Sequence, residues 1–312
     1  MKSCFTVALL LLSFAAPAAP LVPGAGEFTL PGGEGRVEKA ITVYFHVPAN
    51  ASPDSPVVIV VPGAGRNGWS YRDAWVDAAE RHGVIVVSPS YSEEHYPEFW
   101  NYNLARMLTD VKINAARTDF ESYSIVEDPR EWIFADFDRL FDAVTHRFGL
   151  TAERYDMFGH SAGGQILHRY ALFHDSAKVD RLLASNSGWY TVPSHDAAFP
   201  TGLAEAPIKP AMLEKAFARK LVVFLGERDD ENETRGHLVR NPRMDRQGLH
   251  RLARGGYFYE VAKKQAEARG APFRWEKVVI PGVGHDYRKM SEAAADYPVS
   301  YTHLTLPTIY SV

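Results

Sequence analysis

The chain of 312 residues contains one cysteine, Cys4. It lies within the segment Met1 to Pro20, so a chain trimmed of that segment has no disulfide, no cysteine-ligated zinc and no thiolate nucleophile. Long hydrophobic runs are missing too. The run Val7 to Phe14 is too short for the ~30 Å hydrocarbon core of a bilayer, and no later segment is long enough to span it. Positive charge is in deficit, with 34 Lys plus Arg against 38 Asp plus Glu and a formal net charge of -4, which argues against a partner held through nucleic-acid phosphates. Low-complexity tracts, internal repeats and linker-like segments do not occur. What is present, 46% hydrophobic and 12% aromatic residues, excludes a disordered chain and supplies a sizeable core.

The two ends differ from the middle. Met1 to Pro20 has the three regions of a secretory leader: Lys2 as the positive end, Val7 to Phe14 as the apolar run, and Ala16-Pro17-Ala18 as a small-residue cleavage site. A signal peptide over 1–18 is therefore expected, with a secreted or periplasmic mature chain starting near Ala19. Loss of Lys2 leaves 33 basic against 38 acidic residues, a net charge of -5. At the other end Val299 to Thr308, VSYTHLTLPT, resembles a forward translation of a transposon-type sequencing adapter. Residues 299–312 are expected to be a non-native tail, and the natural chain is expected to continue beyond Pro298. A single domain over 19–298 remains.

Within that domain, apolar runs of strand length alternate with helical patterns. Val57 to Val61, Val84 to Val87, Tyr155 to Phe158, Arg181 to Ala184, Leu221 to Leu225 and Val278 to Ile280 lack polar alternation, as strands covered on both faces do. Asp128-Pro129-Arg130-Glu131 predicts a helix start with a capping box, followed by the inner face Ile133, Phe137, Leu140, Phe141, Val144 and Phe148, and a stop at Gly149. Alternation of this kind specifies an α/β protein with a doubly wound, mostly parallel sheet and helices on both faces. The connections 90–127 and 189–219 are long, a feature that on such sheets tends to accompany function.

The segment carrying most chemistry is Gly159-His160-Ser161-Ala162-Gly163, a G-x-S-x-G pattern between a strand and a helix. A sharp strand-to-helix turn lifts the Ser161 hydroxyl above the sheet at the positive end of the following helix. A serine hydroxyl is a poor nucleophile until a base takes its proton, and candidates for base and acid follow at later strand ends. His285 sits in the glycine-rich loop past the last strand, and Asp229 follows the strand Leu221 to Leu225, with Asp230 as the alternative acid. The order Ser, Asp, His is that of α/β-hydrolases. For the oxyanion, the amide of Ala162 is one expected donor, and the loop Pro62 to Gly68 supplies the other through Ala64, or alternatively Gly65.

That same loop spells G-x-G-x-x-G through Gly63, Gly65 and Gly68, the dinucleotide fingerprint. A dinucleotide site needs an acid at the end of the next strand, whereas Val84 to Val87 ends in Ser88-Pro89. The dinucleotide reading is therefore set aside, and no metal site is expected. The stretch Arg235 to Gly256, with Gln247-Gly248 and Arg254-Gly255-Gly256, has a non-random look without a mechanism of its own.

From about Ala40 to Met290 the chain resembles secreted α/β-hydrolases of the serine esterase and polyhydroxyalkanoate-depolymerase-like kind. The resemblance rests on Pro62 to Gly68, Gly159 to Gly163, Ser187-Gly188-Trp189-Tyr190, Gly226 to Asp230 and Pro281 to Asp286. It implies cofactor-free hydrolysis of a small or polymeric ester through an acyl-enzyme on Ser161, and it places Trp189 like a substrate-contacting tryptophan of polyester hydrolases. Trp69 and Trp100 join it as expected substrate contacts. Pro62 departs from the pattern, since many relatives carry histidine there. A serine peptidase of the same fold and a non-catalytic binding protein are the alternative readings.

Overall fold

The computed structural model describes residues 21–231 and 238–297; the expected leader and tail lie outside these residues. In chain order the strands are β1 (Gly24–Leu30), β2 (Ile41–Val47), β3 (Val57–Val61), β4 (Ile85–Ser90), the hairpin β5 (Leu108–Ile113) and β6 (Phe120–Ile125), then β7 (Tyr155–His160), β8 (Val179–Ser185), β9 (Lys220–Gly226) and β10 (Glu276–Ile280). The hairpin stands apart. The others form one eight-stranded sheet in the order β1-β2-β4-β3-β7-β8-β9-β10, antiparallel at β1/β2 and β2/β4 and parallel from β4 to β10. The six predicted runs all belong to this sheet. The antiparallel pair β1 and β2 was not anticipated.

The absence of polar alternation in β3 is explained by a core on each side. Ile59 and Val61 face one apolar cluster together with Met157 and Ile166, and Val58 and Val60 face the other together with Trp75, Phe158 and Met290. The clusters are closed by helices α1 (Gly68–Asp73), α2 (Val76–His82), α3 (Phe134–Phe148), α4 (Ala162–Phe173), α5 (Pro210–Phe217), α6 (Pro242–Asp245), α7 (Arg251–Arg269) and α8 (Tyr287–Asp296). The strand β10 departs from the two-sided rule because it is the sheet edge, and Val279 is 42% exposed. No helix among the described residues is long and apolar enough to cross a membrane.

The helix expected from Asp128 starts later. Asp128 caps only a 3-10 turn over Pro129–Glu131, by accepting from the Arg130 amide at 2.9 Å, and Trp132 then leaves the helical region. Glu131 closes no capping box: its carbonyl accepts from Arg36 and its carboxylate pairs with Arg106, long-range partners that outcompete the local bond. The helix proper, α3, buries Phe137, Leu140, Phe141, Val144 and Phe148 as expected and stops at Gly149, whose φ is 63°. Each fully buried phenylalanine contributes about 2–3 kcal/mol.

One buried charge should be visible in unfolding. Burial pushes the Asp156 carboxyl on β7 up to about 6, against which Arg181, 3.8 Å away, acts only in part. Its folded value lies above its unfolded one, so the folded state binds the proton more tightly and stability falls as pH rises from 4 through 6. Asp156→Asn is expected to raise stability by up to about 3 kcal/mol at pH 8 and by little at pH 4, measured by urea unfolding. An equal gain at both values would refute this account.

Candidate active site

Ser161 occupies the turn between β7 and α4 with φ 56° and ψ -112°, a conformation that a residue with a side chain adopts only under constraint. The constraint is close packing. A Cβ added to Gly163 would stand 2.1 Å from the Val61 carbonyl oxygen, and one added to Gly159 would stand 2.5 Å from that of Gly163. The Ser161 amide donates to the Ser185 carbonyl at 2.9 Å, which ties the turn to the end of β8. Ala162 is the first residue of α4, where amides have no intrahelical acceptor and the helix dipole is positive.

The loops after β9 and β10 are laced together. The amides of Glu227 and Arg228 donate to the carbonyls of Ile280 and Val283 at 3.0 and 2.8 Å, and Gly226 has no room for a Cβ, which would lie 2.5 Å from the Val283 oxygen. This brings His285 and Asp229, 56 positions apart, into contact: His285 Nδ1–H donates to Asp229 Oδ2 at 2.7 Å, and Nε2 accepts from the Ser161 hydroxyl at 3.1 Å. The carboxylate partner assigns the tautomer. Of the two acids considered, Asp229 is the one at the imidazole, buried to 6% exposure, while Asp230 is exposed. Burial pushes the Asp229 carboxyl up, but the His285 hydrogen bond, the charges of His285 and Arg251 and the Asn186 amide outweigh it and hold the group below the usual carboxylate range. Asp229 thus stays ionised beside the imidazole.

His160, buried next to the nucleophile, packs its ring against that of His285 at a tilt of 39°, with ring centroids 4.6 Å apart. Burial, reinforced by the charges of His285 and Arg251, pushes it well below the ordinary histidine range. It therefore remains neutral and adds no charge against an imidazolium on His285.

The loop with Pro62 in place of histidine is held by other groups. Tyr102, fully buried, donates to the Pro62 carbonyl at 2.7 Å, and the Tyr71 hydroxyl lies against Gly63, whose position is also next to Ser161 Cβ. Arg66, at φ 52°, donates from its guanidinium to the carbonyls of Tyr91, Ser92, Tyr96 and Glu98. Ala64 and Gly65 are exposed at the tip of this loop. The anchoring roles of Tyr102, Tyr71 and Arg66 are not legible in the sequence, because each depends on which long-range backbone group faces it.

The three tryptophans sit in different surroundings. Trp69 is 52% exposed at the start of α1, Trp100 packs edge-on to Phe99, and Trp189 is buried with the Arg169 guanidinium 4.2 Å from its ring. Trp189 lines a recess of about 20 Å³ beside Phe99 and Phe120, with residues of the hairpin β5–β6 and of α6 forming its other walls. The described part of the non-random stretch acquires a role here. Gln247 accepts from the Tyr190 amide and donates to its carbonyl at 2.9 and 2.8 Å, and Arg254 donates to Gly188 at 2.7 Å, so these residues clamp the loop that follows β8.

No family model and no curated protein matches the chain. Solved structures do. Poly(aspartic acid) hydrolase-1 from Sphingomonas sp. KT-1 is 33% identical, with a TM-score of 0.79 over 88% of this chain and 98% of that one. LpqC, a poly(3-hydroxybutyrate) depolymerase from Bordetella parapertussis, is 32% identical, with a TM-score of 0.78 over 88% of each chain. The S-formylglutathione hydrolase of Agrobacterium tumefaciens, 15% identical with a TM-score of 0.52, shares the fold. At the first two levels of identity and coverage, this chain belongs to the polyester-hydrolase-like serine hydrolases of the α/β-hydrolase fold.

Proposed function

We propose that this protein is a secreted serine carboxylester hydrolase that works through an acyl-enzyme on Ser161. The observation carrying the reading is the continuous relay from Ser161 Oγ through both ring nitrogens of His285 to Asp229. His285 Nε2 takes the hydroxyl proton as Oγ attacks the ester carbonyl, and Asp229 holds the resulting imidazolium. The amides of Ala162 and Ala64 stabilise the oxyanion. Collapse breaks the carbonyl–alkoxy bond, the imidazolium gives its proton to the leaving alcohol, and a water activated by the same nitrogen releases the acid and restores Ser161. The substrate is an ester with an apolar or aromatic acyl part, polyesters included, as the depolymerase likeness supports. The leader over 1–18 supports export.

Amide hydrolysis is the second reading, favoured by one observation: the polymer named for the Sphingomonas relative is joined by amide bonds. A fluorophosphonate probe and matched p-nitrophenyl ester and p-nitroanilide series separate the readings. Labelling at Ser161 with ester turnover and no anilide turnover is the expected result. Comparable anilide turnover would establish the amide reading instead, and failure of Ser161 to label would leave a binding protein on this fold.

A further inference from the structure

Asp229 shares the oxygen that meets His285 with a second donor. Asn186, fully buried just beyond β8, donates from Nδ2 to Asp229 Oδ2 at 2.6 Å, slightly closer than the His285 bond to the same atom. The other end of the amide is fixed too, because Asn186 Oδ1 accepts from the Ser185 hydroxyl at 2.8 Å. A flipped amide would set its oxygen against the carboxylate, so this orientation is determined by its neighbours. Nδ2 also lies 3.4 Å from the carbonyl of Gly284, the residue before His285. One side chain therefore touches both the acid and the loop that carries the base.

The backbone is committed to this placement. Asn186 has φ 48°, in the left-handed region that costs a residue with a side chain about 1 kcal/mol and that asparagine tolerates best. Its amide donates to the Phe224 carbonyl at 3.1 Å, which pins the residue across β8 and β9. Ser185 gives its carbonyl to the Ser161 amide and its hydroxyl to Asn186. The end of β8 thus connects nucleophile, acid and base loop through two consecutive residues.

We infer that Asn186 is a positioning residue for the proposed reaction, locking the rotation of the Asp229 carboxylate so that its Oδ2 stays in line with His285 Nδ1. A carboxylate held only by the imidazole swings about its side-chain bonds, and the imidazole swings with it. Two donors on one oxygen remove that freedom. Arg251 Nη1, 3.5 Å from the other carboxylate oxygen, Oδ1, adds positive charge beside the acid.

The inference rests on the serine hydrolase reading above, and its test is confined to the turnover that Ser161→Ala removes. If Ser161→Ala turns over like wild type, the reading itself fails before Asn186 is at issue. Asn186→Gly keeps the left-handed backbone without strain and deletes the amide, and Asn186→Leu deletes it while filling the space. Expected in the glycine variant are kcat reduced about tenfold with KM within twofold of wild type, the weight of one hydrogen bond to a charged group. The low-field proton resonance of the His285–Asp229 bond should shift or broaden as well. Should the leucine variant fail to fold, the glycine variant carries the test. Rates within twofold of wild type overturn the inference, and so does a lowered rate with the low-field proton unmoved.

Discussion

Replacing Ser161 by alanine is expected to lower ester turnover by about five orders of magnitude and to leave the fold and its stability unchanged. The size follows from what is lost. Without Oγ there is no acyl-enzyme, and only oxyanion stabilisation and substrate binding remain to assist direct attack by water. The unchanged stability follows from the backbone. Position 161 is held at φ 56° by the packing of α4 against β3 and β7, and alanine meets that constraint with the same Cβ that serine has. Kinetics on a p-nitrophenyl ester beside a urea melt of both proteins check the two halves together. A variant with rates near wild type would remove Ser161 from the mechanism.

The second large effect separates two adjacent acids. Asp229→Asn is expected to cost about four orders of magnitude in kcat near pH 7, and Asp230→Asn less than a factor of two. At 229 the amide is nearly isosteric, but its NH2 facing His285 imposes the wrong tautomer, with the proton on Nε2, where it cannot accept from Ser161. In the opposite orientation the amide oxygen accepts from both His285 and Asn186 Nδ2, which lies 2.6 Å from the Oδ2 position, but it is neutral and no longer holds the imidazolium, so either orientation lowers kcat. Asp230 is exposed, and its carboxylate makes no described bond to the relay. A collapse of activity on substitution at 230 rather than 229 would contradict the geometry.

How much of this was readable in the linear chain depends on the range of the forces involved. The strands β3, β4, β7, β8 and β9 announce themselves because burial on both faces leaves no place for polar residues, and the G-x-S-x-G turn does so because it requires glycine where α4 meets β3. Ser161, Asp229 and His285 are legible for a related reason: each follows a readable strand of one sheet. The pair β1 and β2 escaped because each has residues facing solvent, and GAGEFTL carries two glycines and a glutamate among its seven residues. The Asp128 segment has a local capping signal that was outweighed by Arg36 and Arg106, partners that no window around residue 131 contains. Trp189 stands at the expected place in the chain, yet the walls of its recess come from the distant hairpin β5–β6 and α6. Asn186, Tyr102 and Arg66 are ordinary residue types, and their roles appear only when particular carbonyls and carboxylates are brought beside them.

Arg66 has a consequence for engineering. Its guanidinium fastens the Pro62 to Gly68 loop to four carbonyls spread over Tyr91 to Glu98, so the two stretches are tied together although 24 or more positions separate them along the chain. A chimaera that imports residues 90–127 from another hydrolase to alter selectivity would strand a desolvated cation unless residue 66 travelled with the insert. Modular exchange on this scaffold therefore has its seams at unexpected places, and the smallest transplantable piece comprises both stretches together.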